Sequence, residues 1–231
     1  MLSVQPVLEN AVADVQDLLE MSCNCPVGSD QAEAQVQINV MAPSYPRNAT
    51  PIDWKKGRNY PYYELPDHQF AWRSQKRDDQ VILTINSPSQ QGLAHALYAL
   101  LQEKLGFFFV HPRETVIPCL DRWPAESEHS FTGIPKFDKK GFHLHTQHPT
   151  ELTEALHEPR TPDGQAMIRE YILWLARNQQ NFFEFCLLET VNLNTWIPYS
   201  RDFVEYAHDR GVLCSVDLSL HMIQQHAFKL V

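Results

Sequence analysis

The sequence is poor in the features that mark several classes of protein. Only 8 of its 231 residues are glycine, and no glycine-rich phosphate-binding loop follows its apolar strand patterns. No stretch approaches the roughly 18 consecutive apolar residues of a membrane-spanning helix. Lysine and arginine form no basic stripe, and the formal net charge is −9. We therefore expect neither a nucleic-acid partner nor a membrane partner.

A targeting signal and a disulfide framework are also missing. Residues 1–6 have no basic start followed by an apolar run, which favours a cytoplasmic location if the first methionine is the genuine start. Cys23 and Cys25 are separated by one residue, whereas zinc and thioredoxin motifs have two. We expect reduced thiols, with Cys186 and Cys214 as small core residues of apolar strands.

The amino-terminal part predicts a small domain of mixed helices and strands. The helical pattern lies at residues 7–21, and alternating strand patterns lie at 36–40, 68–74 and 80–86. Ser87-Pro88-Ser89 then begins a leucine-rich helix that ends at Gly106, before an apolar strand at 107–110. We expect residues 1–130 to form an α+β sandwich domain whose helices and strands end by about residue 118. The segment at 119–136 is expected to be a linker or edge segment.

From residue 137 the pattern changes to alternating strands and helices. Strand patterns lie at 141–146, 182–189 and 212–220, and helix patterns lie at 168–177 and 199–210. Continuously apolar strands between helices indicate a parallel sheet covered by helices. We expect residues 137–231 to form the first three strands of a TIM (β/α)8 barrel, since an open doubly wound sheet would favour a glycine-rich turn. A barrel needs about eight strands, so the chain is expected to be truncated.

Polar residues cluster at the carboxyl ends of the predicted strands, where barrel active sites lie. They are His145 and His148 at the end of the first strand and just after it, Glu189 at the end of the second, and Asp217 and His221 at the third. An Asp–His pair can orient an acid or base or hydrogen-bond to sugar hydroxyls; the alternative is a polar network inside the barrel. Glu184 interrupts an apolar strand, so we expect it to point into the barrel and meet a histidine or lysine.

A metal site is a second interpretation of the first strand. His143 and His145 occupy alternate strand positions, so their side chains share one face and could chelate zinc. This pattern would fit a metal-dependent amidohydrolase-like barrel. In the interpretation without metal, no cofactor is expected.

Three segments resemble family 20 glycoside hydrolases (β-N-acetylhexosaminidases) and relatives with the same accessory α/β domain, which α-glucuronidases share. They are residues 88–110 (PSQQGLAHALYALLQEKLGFFFV), 134–148 (IPKFDKKGFHLHTQH) and 203–221 (FVEYAHDRGVLCSVDLSLH). The first is similar to the last helix and strand of the accessory domain. The other two are similar to the entry to barrel strand one and to the helix and strand three.

The resemblance implies a protein that acts on glycosidic bonds of amino-sugar or uronic-acid carbohydrates. The family's catalytic Asp–Glu pair follows strand four, so this chain is expected to contain no catalytic residue. Lys140 replaces a family arginine that grips sugar hydroxyls, and it cannot form the same bidentate fork. His145 replaces an aspartate, and Ser219-Leu220 replaces a Pro-Gly pair. A non-catalytic carbohydrate-binding protein on the same scaffold is the alternative.

Overall fold

The computed structural model describes residues 6–23, 36–41, 68–77, 80–120, 130–144 and 150–218. The helices are α1 (Pro6–Cys23), α2 (Gln90–Leu100), α3 (Thr150–His157), α4 (Gly164–Arg177) and α5 (Leu193–His208). The strands are β1 (Val36–Val40), β2 (Phe70–Arg77), β3 (Gln80–Asn86), β4 (Phe108–His111), β5 (Glu114–Val116), β6 (Phe131–Gly133), β7 (Gly141–Leu144), β8 (Phe182–Cys186) and β9 (Leu213–Asp217). The described strands form three small sheets, one of them all parallel, and no closed barrel.

The first sheet has the strand order β1-β3-β2-β6. Strands β2 and β3 form the antiparallel pair expected from their alternating sequence, with Trp72 opposite Ile85. Both side chains are buried in one core with the apolar faces of α1 and α2. The alternate positions, such as Arg73, Gln75 and Thr84, lie on the outer face because successive strand residues point to opposite sides. Strand β6 lies in the segment that the sequence predicts as a linker or edge, and it pairs with β2 as an edge strand.

Helix α2 begins with the cap expected from the sequence, and the π-helical turn that continues it ends at the expected glycine. The Ser89 side chain accepts a hydrogen bond from the Gly92 amide at 2.9 Å, which satisfies one of the free donors of the first turn. After α2 the chain continues in a π-helical turn over Leu101–Leu105. Gly106 then ends it with φ of 82°, a left-handed conformation that favours glycine. Strand β4 confirms the strand predicted at 107–110, shifted by one residue. It pairs with β5 in a separate two-stranded sheet, and neither β5 nor this pairing was predicted.

The second core lies under the parallel sheet β7-β8-β9, whose order follows the chain. Phe183 and Phe185 of β8 are almost fully buried. They pack against helices α3, α4 and α5, so these helices cover one face of the sheet. The order and direction of the strands confirm the predicted parallel β-α-β series. Helix α3 was not predicted, and α5 begins six residues earlier than the helical pattern at 199–210.

A buried asparagine fixes the alignment of the three parallel strands at their amino ends. The Asn181 side chain accepts from the Lys140 amide and donates to the Asp138 carbonyl, both at 2.7 Å. Its backbone amide donates to the Lys140 carbonyl, and its own carbonyl accepts from the Leu213 amide. This residue therefore contacts the chain entering both neighbouring strands.

Polar contacts join the two cores. Arg177 of α4 makes a paired hydrogen bond to the Asp14 carboxylate of α1, at 2.6 and 2.9 Å. Tyr98 of α2 donates to the same carboxylate at 3.0 Å. At the beginning of α2, the Gln91 side chain donates to the Gly211 carbonyl at 2.7 Å. Gly211 lies just before β9. The first core therefore lies against the amino-terminal end of the parallel sheet.

Candidate functional site

The face of the parallel sheet opposite the helices carries polar and ionisable side chains. We call this set the open-face cluster: His143, Glu184, Cys186, Ser215 and Asp217. The strand register puts His143 beside Glu184 and Glu184 beside Ser215, and it puts Cys186 beside Asp217 one layer nearer the carboxyl ends. These side chains are half-buried or exposed among the described residues. Carboxyl ends of parallel strands are where α/β folds place their sites.

A chain of hydrogen bonds crosses all three strands. His143 Nδ1 lies 3.0 Å from Glu184 Oε2, and the Ser215 hydroxyl donates to Glu184 Oε1 at 3.1 Å. Both bonds favour the ionised carboxylate, and the contact with His143 is the main reason that the pKa of Glu184 lies below its usual value. The sequence expectation that Glu184 meets a histidine is confirmed by this contact.

Cys186 corrects a prediction made from the sequence. It does not lie in the core but on the open face, with its Sγ 3.5 Å from His143 Nε2 and 3.6 Å from Asp217 Oδ2. Partial burial is the main cause that raises the pKa of its thiol, and the neighbouring Asp217 and Glu184 carboxylates add to it. Cys214 occupies the helix-covered face, where burial raises the pKa of its thiol to about 12.

A groove of about 790 Å³ lies beside the cluster, on the helix side of the carboxyl ends. It runs between the end of α3 and the loop from β8 to α5, and its polar lining includes Glu154, His157, Glu158, Arg160 and Asn192. His157 ties this wall to the sheet, since its Nε2 lies 2.8 Å from the Cys186 carbonyl oxygen. The groove therefore lies on the helix side of the end of β8, and the open-face cluster lies on the other side of the same strand.

We call the polar residues at the carboxyl ends of the three parallel strands the rim. The structure brings together only some of the site residues that the sequence predicts there. Asp217 lies at the end of β9 in the open-face cluster, and Glu189 lies in the exposed turn that follows β8. Lys140 precedes β7 at the opposite end of the sheet, where burial lowers the pKa of its ammonium group. The remaining predicted residues, His145, His148 and His221, lie outside the described residues. The role of each as a substrate contact stays a prediction.

The zinc interpretation is not supported by the described part of the chain. Within it, no group of three or more His, Cys, Asp or Glu side chains is placed to hold a metal ion. The second proposed ligand, His145, lies outside this part. The zinc site with His143 and His145 therefore stays a sequence prediction, and the structure describes only the first of its two ligands.

Sequence reasoning missed Cys186, Ser215 and the groove. Positions 182, 184 and 186 alternate with the buried phenylalanines of β8, so the spacing by two residues contains the signal. The apolar character of the whole segment FFEFC concealed this alternation. Nothing in the sequence of α3 indicated that its end would form the wall of a groove.

Comparison with known proteins shows the fold and not the family. A solved structure of a family GH115 4-O-methyl-α-glucuronidase with specificity for decorated arabinogalactans matches with a TM-score of 0.57 and 11% sequence identity. The match covers 93% of this chain but 27% of that enzyme, so the chain corresponds to a part of a glycoside hydrolase-like fold. No family model matches the sequence, and no curated protein matches it at a significant level.

The described helices do not include a membrane span. None of them is both long enough and apolar enough to cross a bilayer.

Proposed function

We propose that this chain is part of a glycoside hydrolase-like protein that acts on glycosidic bonds of amino-sugar or uronic-acid carbohydrates. The observation that carries this proposal is the row of polar side chains at the carboxyl ends of β7, β8 and β9. The fold likeness to part of an α-glucuronidase supports it. The catalytic Asp–Glu pair of the resembling hexosaminidases is expected beyond this chain, which would then contribute one side of the substrate site.

The chemistry of the rim suits sugar hydroxyls. Carboxylates accept hydrogen bonds from hydroxyl and ammonium groups, and Asp217 and Glu189 are both exposed. Ser215 and Cys186 add small polar groups on the open face. The groove on the helix side of the same strand ends has room for a sugar residue. The cluster thus offers mainly hydrogen-bond acceptors. A ligand with many hydroxyl or ammonium donors would fit such a surface.

The charges of the rim discriminate between the two sugar classes. Glu184, Asp217 and Glu189 are acidic, and the open-face cluster contains no lysine or arginine. Its only basic side chain, His143, is already hydrogen-bonded to Glu184. The carboxylate of a uronic acid would be repelled here, whereas hydroxyl or amino groups would be attracted. If a uronic acid is the substrate, its carboxylate should point away from these strands.

Carbohydrate binding can be measured on the chain itself by ligand-observed NMR with neutral, amino-sugar and uronic-acid oligosaccharides. We expect binding of an amino-sugar or neutral oligosaccharide that Asp217→Asn weakens about tenfold, roughly the contribution of one charged hydrogen bond. Glu103→Gln is the matched control, because Glu103 is an exposed acid on the π-helical turn, outside the rim. No binding of any sugar, or equal weakening by both variants, would contradict the proposal. Binding without hydrolysis by the longer protein would favour the non-catalytic alternative.

A further inference from the structure

A line of contacts across two strands joins a thiol, an imidazole and a carboxylate. Cys186 Sγ lies 3.5 Å from His143 Nε2, and His143 Nδ1 lies 3.0 Å from Glu184 Oε2. The ionised Glu184 carboxylate can only accept, so Nδ1 carries the ring proton in the neutral imidazole. Nε2 then presents its lone pair to the thiol. This order of nucleophile, base and orienting carboxylate is the geometry that activates a side-chain nucleophile.

The framework holds this line in place. His143 and Glu184 are register partners on adjacent parallel strands, and Cys186 is two residues further along the strand of Glu184. Ser215 donates to the second oxygen of Glu184, which fixes the carboxylate plane. Cys186 is only partly buried and lies at the carboxyl end of its strand beside the exposed Asp217, so a ligand can approach its thiol from the open face of the sheet.

We propose that Cys186 is a nucleophile toward carboxylic esters, with His143 as its base and Glu184 as the positioning residue. His143 Nε2 takes the thiol proton while Sγ bonds to the ester carbonyl carbon. The carbon–oxygen bond to the alcohol then breaks, and the alcohol leaves with the proton from His143. Water hydrolyses the resulting thioester, which releases the acid and restores the thiol.

This proposal does not depend on the carbohydrate proposal. If both hold, the substrate class is an ester group carried on a sugar, such as an O-acyl group. If the sugar proposal fails, the reaction with a simple aryl ester is still expected, so the two failures can be told apart.

Asp217 opposes the formation of a free thiolate. Its carboxylate lies 3.6 Å from Sγ and contributes to the raised pKa of the thiol. The thiol therefore stays protonated until His143 removes the proton during attack. Replacing Asp217 by asparagine removes this negative charge and should make the thiol more reactive, whereas loss of the base should make it less reactive.

The test uses the chain with 4-nitrophenyl acetate, followed by peptide mapping of the acetylated cysteines. We expect Cys186 to be acetylated first, ahead of the exposed Cys119, although exposure alone would favour Cys119. Cys214 is the control on the helix-covered face, where burial raises the pKa of its thiol to about 12, and it should stay unmodified. Acetylation of Cys119 ahead of Cys186 would overturn the proposal.

Variants separate the base from a structural role. His143→Gln should slow acetylation of Cys186 about a hundredfold, the usual contribution of a general base, and move the rise of its pH profile to higher pH. Glu184→Gln should also slow it, because an amide can stabilise the wrong imidazole tautomer. Asp217→Asn should instead raise the rate severalfold. An unchanged rate in His143→Gln, or a lower rate in a folded Asp217→Asn, would overturn the proposal.

Discussion

The two larger sheets differ in what lies on the face that helices do not cover. On the first sheet, that face carries side chains common on protein surfaces, such as Arg73, Gln75 and Thr84. On the parallel sheet, it carries the open-face cluster, whose members are hydrogen-bonded to one another across strands. Both sheets have a comparable apolar face against helices. Among the described residues, the faces away from the helices therefore differ: one carries separate surface side chains, and the other carries a hydrogen-bonded cluster.

The two faces of the parallel sheet also differ, because the face covered by the helices is a packed apolar core. Phe185 is 1% exposed and packs against the rings of Phe183, Trp196 and Phe203. Phe185→Ala should lower the free energy of unfolding by about 3–5 kcal/mol, because it leaves a cavity in the helix-covered core. Urea denaturation followed by circular dichroism measures this. Phe137→Ala, at a ring that is 70% exposed, is the control and should change little. A loss as small as that of the control would show that the covered face is not a packed core.

The two cores should also depend on each other through one ion pair. The side chains of Arg177 and Asp14 are 17% and 15% exposed. Arg177→Met should therefore cost about 3 kcal/mol, since it leaves the Asp14 carboxylate buried without its charged partner. Arg113→Met is the matched control, because its pair with Glu170 also spans the two regions but is well exposed. The control should leave the urea midpoint unchanged; equal shifts in the two variants would contradict this account.

Acid should lower the stability of the fold through His95, a buried residue of α2 whose Nε2 lies 3.2 Å from the Gln91 side chain that joins the two regions. Burial is the main cause that lowers the pKa of His95 well below 6.5, and Lys140 and His68 add to it. Below 6.5 the unfolded chain binds a proton that the folded chain does not bind, so stability should fall as the pH decreases. Above that pH the contribution is complete. Unfolding free energies at about pH 8 and about pH 5 measure the loss.

Substitutions at two histidines test whether His95 causes the loss of stability in acid. His95→Gln should make the stability less dependent on pH in this window, whereas His208→Gln, at an exposed histidine, should not. If the two variants have the same pH dependence as the parent, the acid sensitivity comes from another group.

The smallest effect on stability is expected on the open face. The side chains of His143 and Glu184 are 44% and 31% exposed, so their ion pair should contribute less than about 1 kcal/mol. His143→Gln should therefore leave the thermal midpoint almost unchanged while it alters the reactivity of Cys186. A large loss of stability would indicate that the cluster holds the sheet together and is not a site.

The sequence predicted the order of elements better than the positions of side chains. Hydrophobic periodicity identified α1, β2 and β3 and the three parallel strands, because burial on one face imposes a regular spacing on any chain. The cap at Gly106 was also predicted, since few residues other than glycine adopt its backbone conformation. These features depend on neighbours in the sequence.

The features that were missed depend on tertiary contacts. Leu152 and Leu156 are spaced for one helix face, yet α3 is short and its burial comes from α4 and β8. Cys186 is apolar enough to be assigned to the core, and only the strand register puts it beside His143. Strand β6 has three residues, too few for a period, and it forms because β2 offers a free edge.

The register that Asn181 sets decides which side chains lie on each face of the parallel sheet. In a strand, a slip of one residue exchanges the two faces. If β8 moved by one position, Phe183 and Phe185 would face solvent, and Glu184 and Cys186 would be driven into the apolar helices. The buried Asn181 amide at one end of the sheet thus keeps the cluster side chains at the other end on the open face. Under the proposed reaction at Cys186, changes at Asn181 should abolish the activity as changes within the open-face cluster do.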